Sequence, residues 1–466
     1  MSLSEPFDVT AGQAAPLDWT AAAREAVGYF KDLLRFDTTN PPGNERPAAT
    51  YIAAILAREG IPFQILHADG DPSRANVVAR LTGSGARAPL LLSGHLDVVP
   101  AEAGKWLYPP FSATEAGGYI WGRGALDMKN MVAMSLMTLV LLKRRRIALD
   151  RDVVFAAVAD EEAGSKKGSL FLVDRFPELV RAEFVLTEVG GHTLHVGRGR
   201  FYPVQVAEKG ICWFEISAEG HPGHGSMPHP HNALARLARA IVALSTTRLP
   251  QHNTPVVEGF VRALATRAPF VQAQLLPLLL RPMFSSALLG ALEKPNRNPE
   301  QAMGLNAMLR NTASPTILSG GNKINVIPSE ARVMVDGRMI PGQTVDSFLA
   351  EIRQVVGDGV RLTVLDQHEG TVFDSKTELY DAITSTLRRH DPEGVAVPYM
   401  IPGFTDAFAY QKLGATCYGF SPVQLDETIN FSRLYHGHDE RIPVSGFTWG
   451  LRVLFDLVRD FCGARG

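Results

Sequence analysis

The sequence predicts an α/β protein, with a mixed, largely parallel sheet flanked by helices and an inserted α+β domain. Three observations lead there. Short β-branched or apolar runs alternate with helical stretches at both ends of the chain, the pattern of strands packed between helices. The character changes near Phe201, where a strand, a His-rich loop and a Pro-interrupted apolar stretch intervene before the alternation resumes. Finally, successive apolar runs end in His, Asp or Glu, as at the carboxyl ends of parallel strands where loops gather functional groups.

Helical periodicity covers Ala21–Leu34 and Ala48–Glu59, on either side of the turn-rich FDTTNPPGNE, a loop placed to rim a site. Strands follow at Asn76–Leu81, Pro89–Ser93 and Val153–Ala159, with a long helix from Met128 to Arg145 between the last two. The basic run Lys143–Arg146 closes that helix, where cations complement the dipole, so it is read as a helix end and not as a nucleic-acid patch. From Val204 onward come a strand, a helix at Asn232–Thr247 and the long insertion. A strand pair at Ile324–Val326 and Ala331–Arg338, a helix at Val345–Val356 and a strand at Val360–Leu365 then close the inserted part. Helices at Glu378–Arg389 and Ser445–Cys462 complete the chain.

At 466 residues, 45% hydrophobic and 20% charged, the chain is long enough for two or three domains and is of globular composition. A formal net charge of −2 supplies no general drive toward nucleic acid or anionic membrane. The cysteines, Cys212, Cys417 and Cys462, are odd in number and far apart, which argues against a disulfide framework and for a reducing compartment. The leader carries acidic residues and no continuous apolar core, so it reads as no secretory signal, and a cytoplasmic protein is expected. Phe270–Leu292 is apolar but broken by Gln272, Gln274, Pro277, Arg281 and Pro282; a buried or interface helix pair is expected there, not a membrane span. TGSGARA and GRGRFY lack the strand and helix context of a nucleotide loop, and no GxSxG elbow appears.

The chemistry lies at the strand ends. PLLLSG delivers His95 and Asp97, WGRGALDMK places Asp127 before a helix, VVFAAVAD ends at Asp160, Glu161 and Glu162, and EFVL leads to Glu188. Taken together, these groups form a pocket of negative charge that calls for cations. YHGHDE adds His436 and His438, and GHPGHGSMPHPHNAL crowds four histidines into one loop.

GHLDVVP, WGRGALDMK, DEEAGS, LTEVG and YHGHDE, in that order, resemble the signature of the di-zinc family that includes aminoacylase, acetylornithine deacetylase, succinyl-diaminopimelate desuccinylase and glutamate carboxypeptidase. The resemblance implies a catalytic domain over 1–205 and 368–466 and a lid and dimerisation domain over 206–367. It implies that His95 and Glu188 hold one zinc, Glu162 and His436 the other, and that Asp127 bridges both, with cobalt or manganese also suited to these donors. Glu161 matches the general base of a zinc-activated water, and Asp97 the carboxylate that orients the ligating imidazole. His224, in GHGSMP, matches the histidine that reaches the opposite protomer's site and stabilises an oxyanion, which requires a homodimer. Asn325 and Arg338 are expected to contact the substrate, Arg338 through a carboxylate. Gly403 and Thr405, in PGFTDAF, match a loop that shapes the pocket or binds that carboxylate; Phe404 stands where relatives often have a small residue.

The implied reaction is hydrolysis of an amide bond in an N-acyl-amino acid or at a peptide C-terminus. Glu at position 188 resembles the carboxypeptidases and deacylases more than the aminopeptidases and dipeptidases. The insertion over about 249–313 is similar to the subgroup with the vacuolar Gly-X carboxypeptidase and the N-fatty-acyl-amino-acid hydrolase; it either lines an apolar pocket or extends the lid or dimer core. Three alternatives stay open: a dipeptidase or aminopeptidase, a hydrolase of a carbamoyl or other C–N bond, and a non-catalytic binding protein.

Overall fold

The computed structural model describes residues 17–68, 70–294 and 299–464. Most of the leader and residues 295–298 of the insertion, on which the readings above also bear, lie outside the described residues.

Asp18 caps the first helix, Trp19–Arg35, by accepting from the amides of Thr20 and Ala21. Ala22, Ala26, Tyr29, Phe30 and Leu33 recur at helical spacing and form its buried face. The helix Lys129–Arg144 is buried almost all round, because it lies between the sheet strand Arg87–His95 and the helices Trp19–Arg35 and Val444–Cys462. Truncating Leu136 or Leu139 there to Ala would cost about 2–5 kcal/mol. Arg144, from the basic run at its end, pairs with Glu25 and Glu59, each at 2.7 Å.

The large sheet has ten strands. At its centre Arg151–Val158, Arg87–His95, Phe184–Thr187 and Thr416–Gly419 run parallel, in that spatial order. They read as unbroken apolar runs because both faces are covered. Phe63–His67, Ala75–Leu81 and Gly199–Glu208 add antiparallel pairings on the flanks. The parallel centre sends its carboxyl ends, and with them His95, Asp160 and Glu188, to one side.

A second sheet of four antiparallel strands runs in the order Thr312–Gly320, Glu330–Met339, Gly210–Glu219, Arg361–His368. The helices Ala233–Thr246 and Val345–Val356 cover one face, around Phe214, Leu237, Val333 and Phe348. Here the structure corrects the expected strand pair. Ile324 and Asn325 sit in an exposed turn, Val326–Ile327 pairs with Gly223–His224, and the partners of Glu330–Met339 are Thr312–Gly320 and Gly210–Glu219.

Two segments link the sheets side by side. A Cβ at Gly210 would meet the His368 carbonyl oxygen at 2.4 Å, and one at Gly370 would meet that of Glu208 at 2.7 Å, so this close approach requires glycine. The insertion forms the helices Pro255–Ala265, Phe270–Leu275, Pro282–Leu292 and Pro299–Leu309. Their apolar cluster, with Phe260, Leu264 and Leu289, packs on Phe201, Val397 and Met400 of the large sheet. Among the described residues no helix is long and apolar enough to cross a membrane.

Candidate di-metal active site

A cavity of about 270 Å³ opens over the carboxyl ends of the parallel strands. Asp127, Glu161, Glu162, Glu188 and His436 line it, with Arg338, Gly403 and the apolar side chains of Trp213, Ile401, Phe404, Phe431 and Tyr435.

Asp127 stands between two imidazoles. Its Oδ1 lies 3.0 Å from His95 Nε2 and its Oδ2 lies 3.2 Å from His436 Nε2. Glu188 lies 3.3 Å from His95 Nε2, and Glu162 lies 3.2 Å from His436 Nε2. Donor atoms of His95, Glu161 and Glu188 fall within 4.8 Å of one another, as do those of His95, Asp127 and Glu162. Glu188 Oε1 is buried with no hydrogen-bond partner among the described residues, a lone pair left for something else.

The electrostatics show a site short of positive charge. Burial, with Glu188 adding repulsion, holds Glu161 well above the usual carboxylate range. Burial pushes Glu188 up to about 8. Burial opposes the charged form of Asp127, yet bonds to His436 and His95 keep its pKa low. His436, against partial desolvation, is raised to about 10 by Asp127 and Glu162. Carboxylates and imidazoles that share protons in this way are the donors that divalent cations take when the protons leave.

The supporting groups are buried and mostly were not foreseen. His95 Nδ1 donates to the Asp97 carbonyl at 2.8 Å, so Asp97 orients the imidazole mainly through its backbone; its carboxylate is 3.7 Å away. That carboxylate instead accepts the amides of Glu161 and Glu162, each at 3.1 Å. Asn40, from the FDTTNPPGNE loop, donates to Asp97 at 2.8 Å. Asp160, in left-handed backbone at φ 69°, accepts from Arg74 at 2.8 Å and from the Lys167 amide at 3.0 Å, and so holds its turn together. Glu440 accepts from Arg123 and from the amides of Gly124, Leu126 and Asp127, which fixes the turn that presents Asp127. Asp406 accepts from Ser165 and Ser169 beneath the Glu161 turn. For Glu440 and Asp406 the one available signal was their place inside recognised motifs.

Thr405, His224 and Asn325 are not gathered at the cavity, whereas Gly403 and Arg338 are. Thr405 is buried, with its hydroxyl on Glu208 at 2.8 Å, while its neighbours Gly403 and Phe404 line the cavity. His224 is exposed, 2.8 Å from Ser226 Oγ, and Asn325 lies beside it, bonded through its carbonyl to the Gly225 amide. Arg338 lines the cavity, clamped by Asp336 through Nε at 2.8 Å and Nη2 at 3.2 Å, over the Phe404 ring. Its Nη1 is buried with no partner among the described residues.

Acidic and imidazole donors that converge over the ends of the parallel strands are the donor set of a metal-dependent hydrolase. Residues 91–460 match the profile of peptidase family M20/M25/M40, and the chain belongs to that family. It is 31% identical over 387 residues to the human N-fatty-acyl-amino acid synthase/hydrolase PM20D1, across 80% of this chain and 74% of that protein. It is 29% identical over 385 residues to the probable carboxypeptidase S-like 2 of Dictyostelium discoideum, across 80% and 71%. Among solved structures it is similar to the M20 family metallo-carboxypeptidase Sso-CP2 of Sulfolobus solfataricus, with TM-score 0.69 and 17% identity over 93% of this chain and 98% of that one. That likeness confirms the mixed α/β fold. The chain is an enzyme, a metallopeptidase or amidohydrolase that hydrolyses an amide bond.

Proposed function

We propose that the chain releases a free amino acid from an N-acyl-amino acid, or from a peptide C-terminus, at a site holding two zinc ions. The observation that carries this is Asp127, whose two oxygens face two different imidazoles. His95 and Glu188 would hold one ion, Glu162 and His436 the other, and Asp127 both. Cobalt or manganese suits the same donors. The cations supply Lewis acidity and lower the pKa of an attacking water.

Glu161, which lines the cavity beside these donors, would take a proton from the attacking water on its carboxylate and return it to the leaving amine. Arg338 offers Nη1 to the carboxylate of the leaving amino acid, with Asp336 fixing the other edge of the guanidinium. Trp213, Phe404, Phe431 and Tyr435 present apolar surface to the acyl group or side chain and exclude water from it. The names of the similar proteins support this substrate class.

We assign the second sheet and its helices, within 206–367, to a lid and dimerisation domain inserted in the catalytic domain of 1–205 and 368–466. The edge strand Thr312–Gly320 leaves Ile317 and Leu318 exposed, and Val242 is exposed on the neighbouring helix. Such an open edge suits a second copy. His224 lies outside its own cavity, in keeping with service to a partner's site. The three free, buried thiols support a cytoplasmic setting.

The test is release of free amino acid from N-acetyl-amino acids, N-fatty-acyl-amino acids and dipeptides, by chelated protein and after zinc is returned. Zinc-dependent release from acyl-amino acids supports the reading. Release from dipeptides with a free amine alone would replace it with a dipeptidase.

A further inference from the structure

The expected metal ligands are not held alike. His95 and Glu188 sit at or just beyond the ends of buried parallel strands, and the His95 side chain is wholly buried. His436 instead follows a one-turn helix, Phe431–Leu434, in a segment outside both sheets. Its side chain is 47% exposed, and its backbone is left-handed at φ 60°, a conformation a non-glycine residue keeps only when its surroundings enforce it. The sheet does not supply that enforcement.

Contacts on two sides of the segment do, alongside the Arg123 bond to the Gly437 carbonyl at 2.9 Å. The Phe431 ring lies face to face on His192, with centroids 4.1 Å apart and planes 4° from parallel, and it contacts Tyr435 at 5.4 Å. Tyr435 in turn packs on His436 at 5.5 Å. His192 is buried, follows Glu188 by four residues on the same turn, and is bridged through its backbone to Val423. From the other side Glu300, on the last helix of the insertion, accepts from Asn430 at 2.7 Å and pairs with Arg433 at 3.0 Å.

We infer that His192, Phe431 and Glu300 are positioning residues for His436, and that one role of the inserted helices is to fasten the segment carrying this ligand. The inference rests on the two-ion reading of the site. His192 acts here through its ring face: Nδ1 has no hydrogen-bond partner among the described residues, and burial, lowering its pKa to about 4, keeps the ring neutral. The stack lets the turn that follows Glu188 brace the segment that delivers His436.

The test is isothermal titration of chelated full-length protein with Zn2+, with visible absorption of the Co2+ forms as a second readout. Wild type is expected to take two ions. Phe431→Ala and His192→Ala should weaken one ion by about 10–100-fold and leave the other unchanged, the usual scale for residues that orient a ligand. His192→Phe should restore binding to within a few-fold, because it keeps the ring. Glu300→Ala should weaken the same ion by a few-fold, being an exposed pair, and Glu300→Gln less. Should Phe431→Ala fail to fold, the contrast between His192→Ala and His192→Phe still decides. Unchanged binding of both ions in the alanine variants would overturn the inference, as would equal weakening of both ions with a lowered Tm. If wild type takes fewer than two ions, it is the two-ion reading that falls, before any variant is compared.

Discussion

Asp97 and Glu161 are joined by a hydrogen bond of 3.1 Å, from the Glu161 amide to Asp97 Oδ1, while the Asp97 carbonyl holds His95 Nδ1 at 2.8 Å. One residue thus sets both the ring of His95, a proposed ligand, and the backbone that presents Glu161, the proposed base. Asp97→Ala should free the turn over Glu161 and Glu162 and lower both kcat and metal affinity by about 10–100-fold. Asp97→Asn keeps an acceptor oxygen and should lose less. Metal content and kcat, measured on both variants, check this.

Arg338 Nη1 is buried with no partner among the described residues, and in the proposed function it meets the substrate's carboxylate. Arg338→Ala should raise KM by about 10–100-fold with a smaller change in kcat, because a charge-assisted bond contributes about 1.5–3 kcal/mol. A substrate whose carboxylate is amidated should not distinguish the variant from wild type. Steady-state kinetics on the acid and amide pair would show it.

The donors were legible because chemistry-bearing residues fall where strands end: His95, Glu161, Glu162 and Glu188 each follow an apolar run. The network that holds them was not. Asn40, Arg74, Asp406 and Glu440 are buried polar groups whose partners lie far along the chain, and no local periodicity marks such pairs. The strand Thr312–Gly320 escaped for a different reason: it is an exposed edge with a register shift between Pro315 and Ile317, so neither alternation nor an apolar run appears. Thr405 looked like a cavity residue from its motif, but its hydroxyl is taken by Glu208.

Glu208, buried where the two sheets connect, accepts from the Thr405 amide at 2.9 Å, yet burial raises its pKa from 4.5 to about 7. A carboxyl with a raised folded pKa contributes stability that is fully present below pH 4.5 and is lost as pH rises through about 7. Glu208→Gln removes this titration. Relative to wild type, the variant should therefore gain stability between pH 5 and 8, by at most about 3 kcal/mol. Urea unfolding of both proteins across that range reads the difference.

If His224 serves the partner's site, inactive His224→Ala and inactive Glu161→Gln should complement when refolded together. Each mixed dimer then holds one complete site, and random pairing should return about a quarter of wild-type activity. Silence in the mixture would place His224 in its own protomer's chemistry or outside the reaction.

The most direct test of the account is Glu161→Gln, assayed beside wild type at matched metal content and with acyl-amino-acid substrate. With Glu161 as the residue that carries the proton, the variant should bind both ions as wild type does and lose about 10²–10⁴-fold in kcat. Turnover within a few-fold of wild type, with both ions bound, would contradict the account.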